Sequence, residues 1–539
     1  MQRARSPVHR RSRLLALSVL AVILPALAAT GFWNTPVQGQ GRAETLIVLR
    51  NIDDYVTNDP SRQYEYSAQM WDESTYDTLV TLEAPDFTKI QPKLAERWEI
   101  SKDGLTYTFH LRGGAKFHSG NPVTATDVRF SFRRLKYLED NPSFFMDPVK
   151  DIQATNDTTV KVTLSAPDAS WLAALAAPPT GILDSKTVIE KGGTDAENAK
   201  TADKATSWLN EHTAGSGPYD LTSFRRNEQA VLERTPSYWG AKPFFAKIVF
   251  LHVKDGTTQR EMAERGDADI AQDFDSDIVA KIAPGARIKI VEGLSMNQVY
   301  MAVNTNPQVS KELADKRVRQ AVSYAIDYDG IIKGLVRDAG VRPPAMFPIG
   351  VLGVDLSMAR QRDTAKAKQL LAEAGYPSGF SVKLNYWTAP LLGVPSEPLA
   401  AKLQADLGAV GVKVSLEPKE RSVMITEYRA GKPQLMLASW SPDYLDPHPW
   451  ADAFYRKGGP AAHRVSYDNP KAVELVAAGD RELDPAKRAG IYKELTKVAL
   501  DDVPFIMLIQ PKSFVGVNPS IKGYAIHPIW FVTLSRLSR

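Results

Sequence analysis

Residues 381–417 read SVKLNYWTAPLLGVPSEPLAAKLQADLGAVGVKVSLE. Ser381 to Trp387 reads as a strand, Glu397 to Leu407 as a helix, and Val412 to Glu417, after Gly411, as a second strand. Gln434 to Ala438 adds a buried strand on the C-terminal side. Upstream, Thr364 starts a helix over Ala365 to Ala374 that Gly375 ends, with Pro377 beyond it. Further back, Asp315 caps a helix that runs through Arg319, Val322 and Ile326 to about Leu335. This order of strands and helices predicts a sheet covered by helices, an α/β fold.

The first half reads as strands and turns. Thr45 to Arg50 is a short apolar run, and Leu105 to Leu111 alternates between Asp103-Gly104 and Gly113-Gly114 as a half-buried strand does. Thr159 to Leu164 and Lys247 to Val253 repeat the pattern. Thr124, followed three residues later by Asp127, forms a capping box for a helix over Ala125 to Leu138. The polar stretch Glu190 to Lys204 reads as a surface connection or exposed helix, and no period marks a solenoid or propeller.

At the N-terminus five arginines precede an apolar run from Leu14 to Leu24, then Pro25 and small residues through Ala29. That is the charge order of a secretory signal, with cleavage near Ala28 or as late as about Ala43. The run falls short of the roughly 20 residues a membrane span needs. Arg10-Arg11 leaves the general and twin-arginine export routes both open. Residues 1–43 hold six arginines and no acid, so their removal takes the formal charge from +4 to −2, and no basic patch for nucleic acid remains. There is no cysteine, which excludes disulfides, thiolate metal sites, thiol nucleophiles and a lipid-bearing cysteine at the cleavage site. No nucleophile elbow, zinc-binding histidine pair or phosphate-binding glycine loop occurs, and the eight histidines are scattered. Neither a cofactor nor a metal is expected. About 500 residues beyond the signal predict two or three domains.

Several longer motifs carry a resemblance. Pro92-Lys93-Leu94-Ala95-Glu96-Arg97-Trp98 is followed by the strand from Asp103 and by Phe117-His118-Ser119-Gly120-Asn121-Pro122-Val123-Thr124-Ala125-Thr126-Asp127-Val128. Later come Gly215-Ser216-Gly217-Pro218-Tyr219, Arg234-Thr235-Pro236-Ser237-Tyr238-Trp239 and Asp315-Lys316-Arg317-Val318-Arg319-Gln320-Ala321. In this order they resemble the extracellular solute-binding proteins of family 5, the peptide, dipeptide and nickel group, over essentially the whole mature chain. The resemblance implies a two-lobed periplasmic binding protein fold, type II in its large cluster C form, with an extra subdomain inserted in the first lobe. It implies a base lobe from 44–80, 181–288 and 503–539, an inserted subdomain over 81–180 and a second lobe over 289–502. A freely diffusing periplasmic monomer would capture a small peptide or peptide-like ligand in the cleft and deliver it to the permease subunits of an ABC importer in the inner membrane.

The richest constellation for a ligand is Ser439-Trp440-Ser441-Pro442-Asp443-Tyr444-Leu445-Asp446-Pro447, a loop after a strand. Trp440 and Tyr444 offer stiff walls. The resemblance places Asp443 where peptide binders hold the ligand's α-amino group, whereas Asp446 before Pro447 reads as a turn cap. Leu437 stands where some oligopeptide binders carry an arginine for the peptide carboxylate, so the partner for the ligand's far end is open. Tyr386 and Trp387 stand at a strand end and are further ligand contacts on this reading; Tyr64, Tyr66 and Trp71 are weaker ones. Gly217 is expected for backbone reasons and Tyr219 as structural. An oligosaccharide, an opine-like conjugate or a metal chelate are alternative ligands, and a secreted hydrolase is the alternative of another class.

Overall fold

Strands Ser381–Trp387 and Lys413–Lys419 pair in parallel, Leu384 opposite Leu416, and helix Ser396–Gly408 makes the crossover between them. The helix buries Leu399, Leu403 and Leu407 completely, one stripe at four-residue spacing. Each such leucine contributes about 1.5–3 kcal/mol. Where the two strands begin, the backbones nearly touch: a Cβ on Gly379 would lie 1.8 Å from the carbonyl oxygen of Gly411, and both residues have positive φ. Glycine is required there on both counts.

The computed structural model describes residues 40–529 and 532–539. The expected signal segment, residues 1–28, lies outside the described residues. No helix among the described residues is long and apolar enough to cross a membrane.

Ten strands run in sequence across one large sheet. One flank holds Lys413–Lys419, Ser381–Trp387, Leu435–Trp440 and Gln298–Val303. The other holds Ile270–Phe274, Thr45–Arg50, Lys247–His252, Gln229–Arg234 and Tyr219–Arg225. Between them lies the 13-residue strand Phe505–Val517. Its first part pairs with Gln298–Val303, Met507 opposite Tyr300, and its last part pairs with Lys289–Leu294, Val515 opposite Val291. One continuous strand therefore ties the two flanks, with a register shift between Val299 and Tyr300 where they meet.

A separate four-stranded antiparallel sheet is built from Ala95–Ile100, Thr106–Leu111, Thr159–Leu164 and Val149–Asn156. Helix Ala125–Leu138 packs on it and starts with the expected capping box, in which the Thr124 amide donates to Asp127 Oδ2 at 2.8 Å. The apolar run from Trp171 is core: Trp171 meets Tyr107 edge-on at 5.0 Å. The polar stretch 190–204 is a set of surface turns with one short helix, Ala199–Ala202, anchored where Asp203 joins Asp59 around the fully buried Arg134.

Two expectations shift. The helix capped by Asp315 ends at Ala325 rather than near Leu335, because Ile326 is extended and the Asp327 carboxylate accepts the Gly330 amide to start a separate turn. The helix expected from Thr364 is capped by Asp363, which accepts the Lys366 amide. Gly217 is a close-approach glycine, since a Cβ there would sit 2.4 Å from the Ser74 carbonyl oxygen. Tyr219 is buried, with its hydroxyl on the Phe245 carbonyl.

Candidate functional site

Strand Leu435–Trp440 lies inside the sheet between Gln298–Val303 and Ser381–Trp387. Its alternation turns Met436 and Ala438 toward a cavity of about 600 Å³, while Leu437 is core and does not line it. Trp440 ends the strand on the same cavity, and the loop that follows brings Asp443 and Tyr444 onto it. Tyr64 and Phe144, from much earlier in the chain, line it too.

Trp440 is braced edge-on by Phe454 at 5.2 Å. Tyr444 is buried, and its hydroxyl lies 3.3 Å from Ser170 Oγ. The expected pair at the end of strand Ser381–Trp387 is divided. Trp387 lines the cavity, but Tyr386 is 4 % exposed, packs in the core and does not line it. Successive strand residues point to opposite faces, and here the alternation puts Tyr386 on the core row with Val382 and Leu384 and leaves Trp387 on the other. Of the weaker trio, Tyr64 lines the cavity, Tyr66 is hydrogen-bonded with Ser441 on the binding loop, and Trp71 is buried against Tyr55 and Phe250.

Asp443 has one side-chain partner, the Tyr64 hydroxyl, which donates to Oδ1. Burial pushes its carboxyl up to about 6, against the lowering effect of the Tyr64 hydrogen bond. A carboxylate held this way is poised for a cation, and no described residue supplies one. Asp446, three residues on, is closed: Arg488 meets both its oxygens at 2.5 and 2.7 Å, and Oδ1 also accepts the His448 amide.

Basic groups reach the cavity from places that spacing did not indicate. Arg421 begins helix Arg421–Arg429, with its guanidinium 5.1 Å from the Trp387 ring centre. Arg464 ends helix Pro460–Arg464, at 5.1 Å from the Tyr428 ring. Arg429 is the third. His448 and Asp452 also line the cavity, but His448 bonds Asp480 and Asp452 bonds Arg456.

A second cavity, of about 780 Å³, lies on the far side of the same loop. Leu445, Asp446 and Pro447 face it, together with Tyr107, Leu172 and Leu483, and its charged pair Asp446–Arg488 is already satisfied.

A cavity lined by one flank of the sheet and by Tyr64 and Phe144 from earlier in the chain, with a carboxylate that no described cation compensates and with aromatic walls, has the character of a small-ligand site. HbpA2 from Haemophilus parasuis superposes with a TM-score of 0.81 at 24% identity, over 92% of this chain and 99% of that one, and the fold is the two-lobed periplasmic binding protein fold. The profile of the bacterial extracellular solute-binding proteins, family 5 Middle, matches residues 89–462, and the chain belongs to that family. Family members are solute-binding proteins rather than enzymes. The "Probable D,D-dipeptide-binding periplasmic protein DdpA" of Escherichia coli is 28% identical over 521 residues, spanning 95% of this chain and 97% of the relative. The dipeptide-binding protein of the same organism is 29% identical over 470 residues, 82% of this chain and 85% of that one.

Proposed function

We propose that this solute-binding protein captures a small peptide or peptide-like solute in the 600 Å³ cavity and hands it to the permease subunits of an ABC importer in the inner membrane. It acts as a monomer in the periplasm after removal of the N-terminal signal, without a cofactor and without turning its ligand over. The observation that carries this is Asp443, a half-buried carboxylate with a tyrosine but no cation beside it among the described residues, in a lining that also holds Trp440 and Trp387. A ligand α-ammonium would complete that site, while the two indoles would cover the ligand's apolar faces. The dipeptide-binding relatives support the same ligand class.

The 44–80, 181–288 and 503–539 base, the 81–180 insertion and the 289–502 second lobe are part of the proposal. The crossing strand Phe505–Val517 serves as a hinge element. Ligand must favour the closed arrangement for the permease to sense it. Isothermal titration of the mature protein with alanine di- and tripeptides tests the ligand class. Binding is expected for the free peptides and lost when the α-amine is acetylated; binding unaffected by acetylation would remove Asp443 from its role.

A further inference from the structure

The charge balance of the cavity goes further than a peptide ligand in general. Its lining carries Asp443 as the one acid without a cation, and Arg421, Arg429 and Arg464 as guanidiniums with no carboxylate partner among the described residues. The remaining charged groups of the lining are paired, His448 with Asp480 and Asp452 with Arg456. Arg421 and Arg429 are exposed and Arg464 is half-buried. Arg421 and Arg464 are set apart by the aromatic wall each lies over, Trp387 or Tyr428, which restricts the plane of its fork before a ligand arrives. When the cleft dries around a ligand, each guanidinium without an anion costs free energy, as does Asp443 without a cation.

We infer that Arg421 and Arg464 select a ligand with one ammonium and two carboxylate groups, an acidic dipeptide or an amino-acid conjugate of the same charge pattern. This rests on the peptide-like reading above. The ammonium goes to Asp443 and the two carboxylates to the arginines. The two forks come from the start of one helix and the end of another, 43 positions apart in sequence, and they take the place of the single strand arginine that Leu437 replaces. A neutral dipeptide satisfies one fork, and a basic one meets repulsion at the second.

The test is titration of the mature protein, stripped of any bound solute, with Ala-Ala, Ala-Glu and Ala-Lys. Ala-Glu is expected to bind at least about tenfold more tightly than Ala-Ala, and Ala-Lys more weakly than either. In Arg421→Gln and Arg464→Gln, checked for an unchanged circular-dichroism spectrum, the advantage of Ala-Glu should shrink to about threefold or less. Equal affinity for the three peptides, or an advantage that survives both substitutions, overturns the selection while leaving peptide binding intact. Failure of all three to bind overturns the peptide reading itself, and the selection with it.

Discussion

The two cavities on either side of residues 443–447 are built from one loop and treat charge in opposite ways. On one side Asp443 is half-buried and has only a tyrosine hydroxyl among the described residues. On the other Asp446 is locked in a two-pronged pair with Arg488, which is itself tied to the Gly479 carbonyl. Two carboxylates of the same type, three residues apart, therefore do different work: Asp446 holds the loop to helix Pro485–Asp502, and Asp443 is left for a ligand. In the larger cavity Asp446 and Arg488 are spent on each other, which leaves Glu482 as the one lining charge without an ion-pair partner among the described residues.

The contrast can be broken at either residue. Asp446→Ala strands a buried guanidinium and should cost about 3–5 kcal/mol of stability, read from the midpoint and slope of urea unfolding. A change under about 1 kcal/mol would show that the pair does not hold the loop. Tyr386→Ala comes next, an expected loss of about 3 kcal/mol from a buried aromatic with peptide affinity retained in the folded fraction. Trp387→Ala, its neighbour, should instead weaken binding and leave unfolding nearly unchanged. If the two effects were exchanged, the strand would face the other way.

Asp443→Ala should weaken peptide binding by at least about 1.4 kcal/mol, or tenfold, without the stability loss of the Asp446 variant. The same residue sets a pH dependence. Its carboxyl is raised, so the unliganded fold holds a proton that the unfolded chain has released between pH about 6 and 3.8. Acidification through that window stabilises the unliganded fold relative to Asp443→Asn. A bound ammonium needs the carboxylate and must expel that proton, so affinity should fall by up to about tenfold per pH unit below 6. Titrations at pH 7, 6 and 5 would show this slope in the parent protein and a flat profile in Asp443→Asn; equal slopes would place the titrating group elsewhere.

The fold was legible because it depends on local signals. Capping at Thr124 and Asp315, the glycines after helices and the alternation of Leu105 to Leu111 all act over a few residues, and these elements start within a residue or two of where they were expected, although the helix capped by Asp315 stops ten residues early. The candidate site was legible chiefly around one strand end. Trp440 closes the strand and Asp443 and Tyr444 follow on its loop, so that end places them together. For Tyr386 the signal was present: Val382, Leu384 and Tyr386 form one apolar row at two-residue spacing, which is a core face and leaves Trp387 for the cavity. Arg421 and Arg464 carried no such signal. They are two arginines among many on helix ends, and only tertiary packing gathers them onto the cavity that Asp443 lines.

Native mass spectrometry of the mature protein purified from its own periplasm, followed by denaturation and identification of what is released, tests the central claim most directly. A co-purified short peptide or amino-acid conjugate, absent from the Asp443→Ala protein, is the expected result. A released oligosaccharide or metal chelate that Asp443→Ala retains would contradict it.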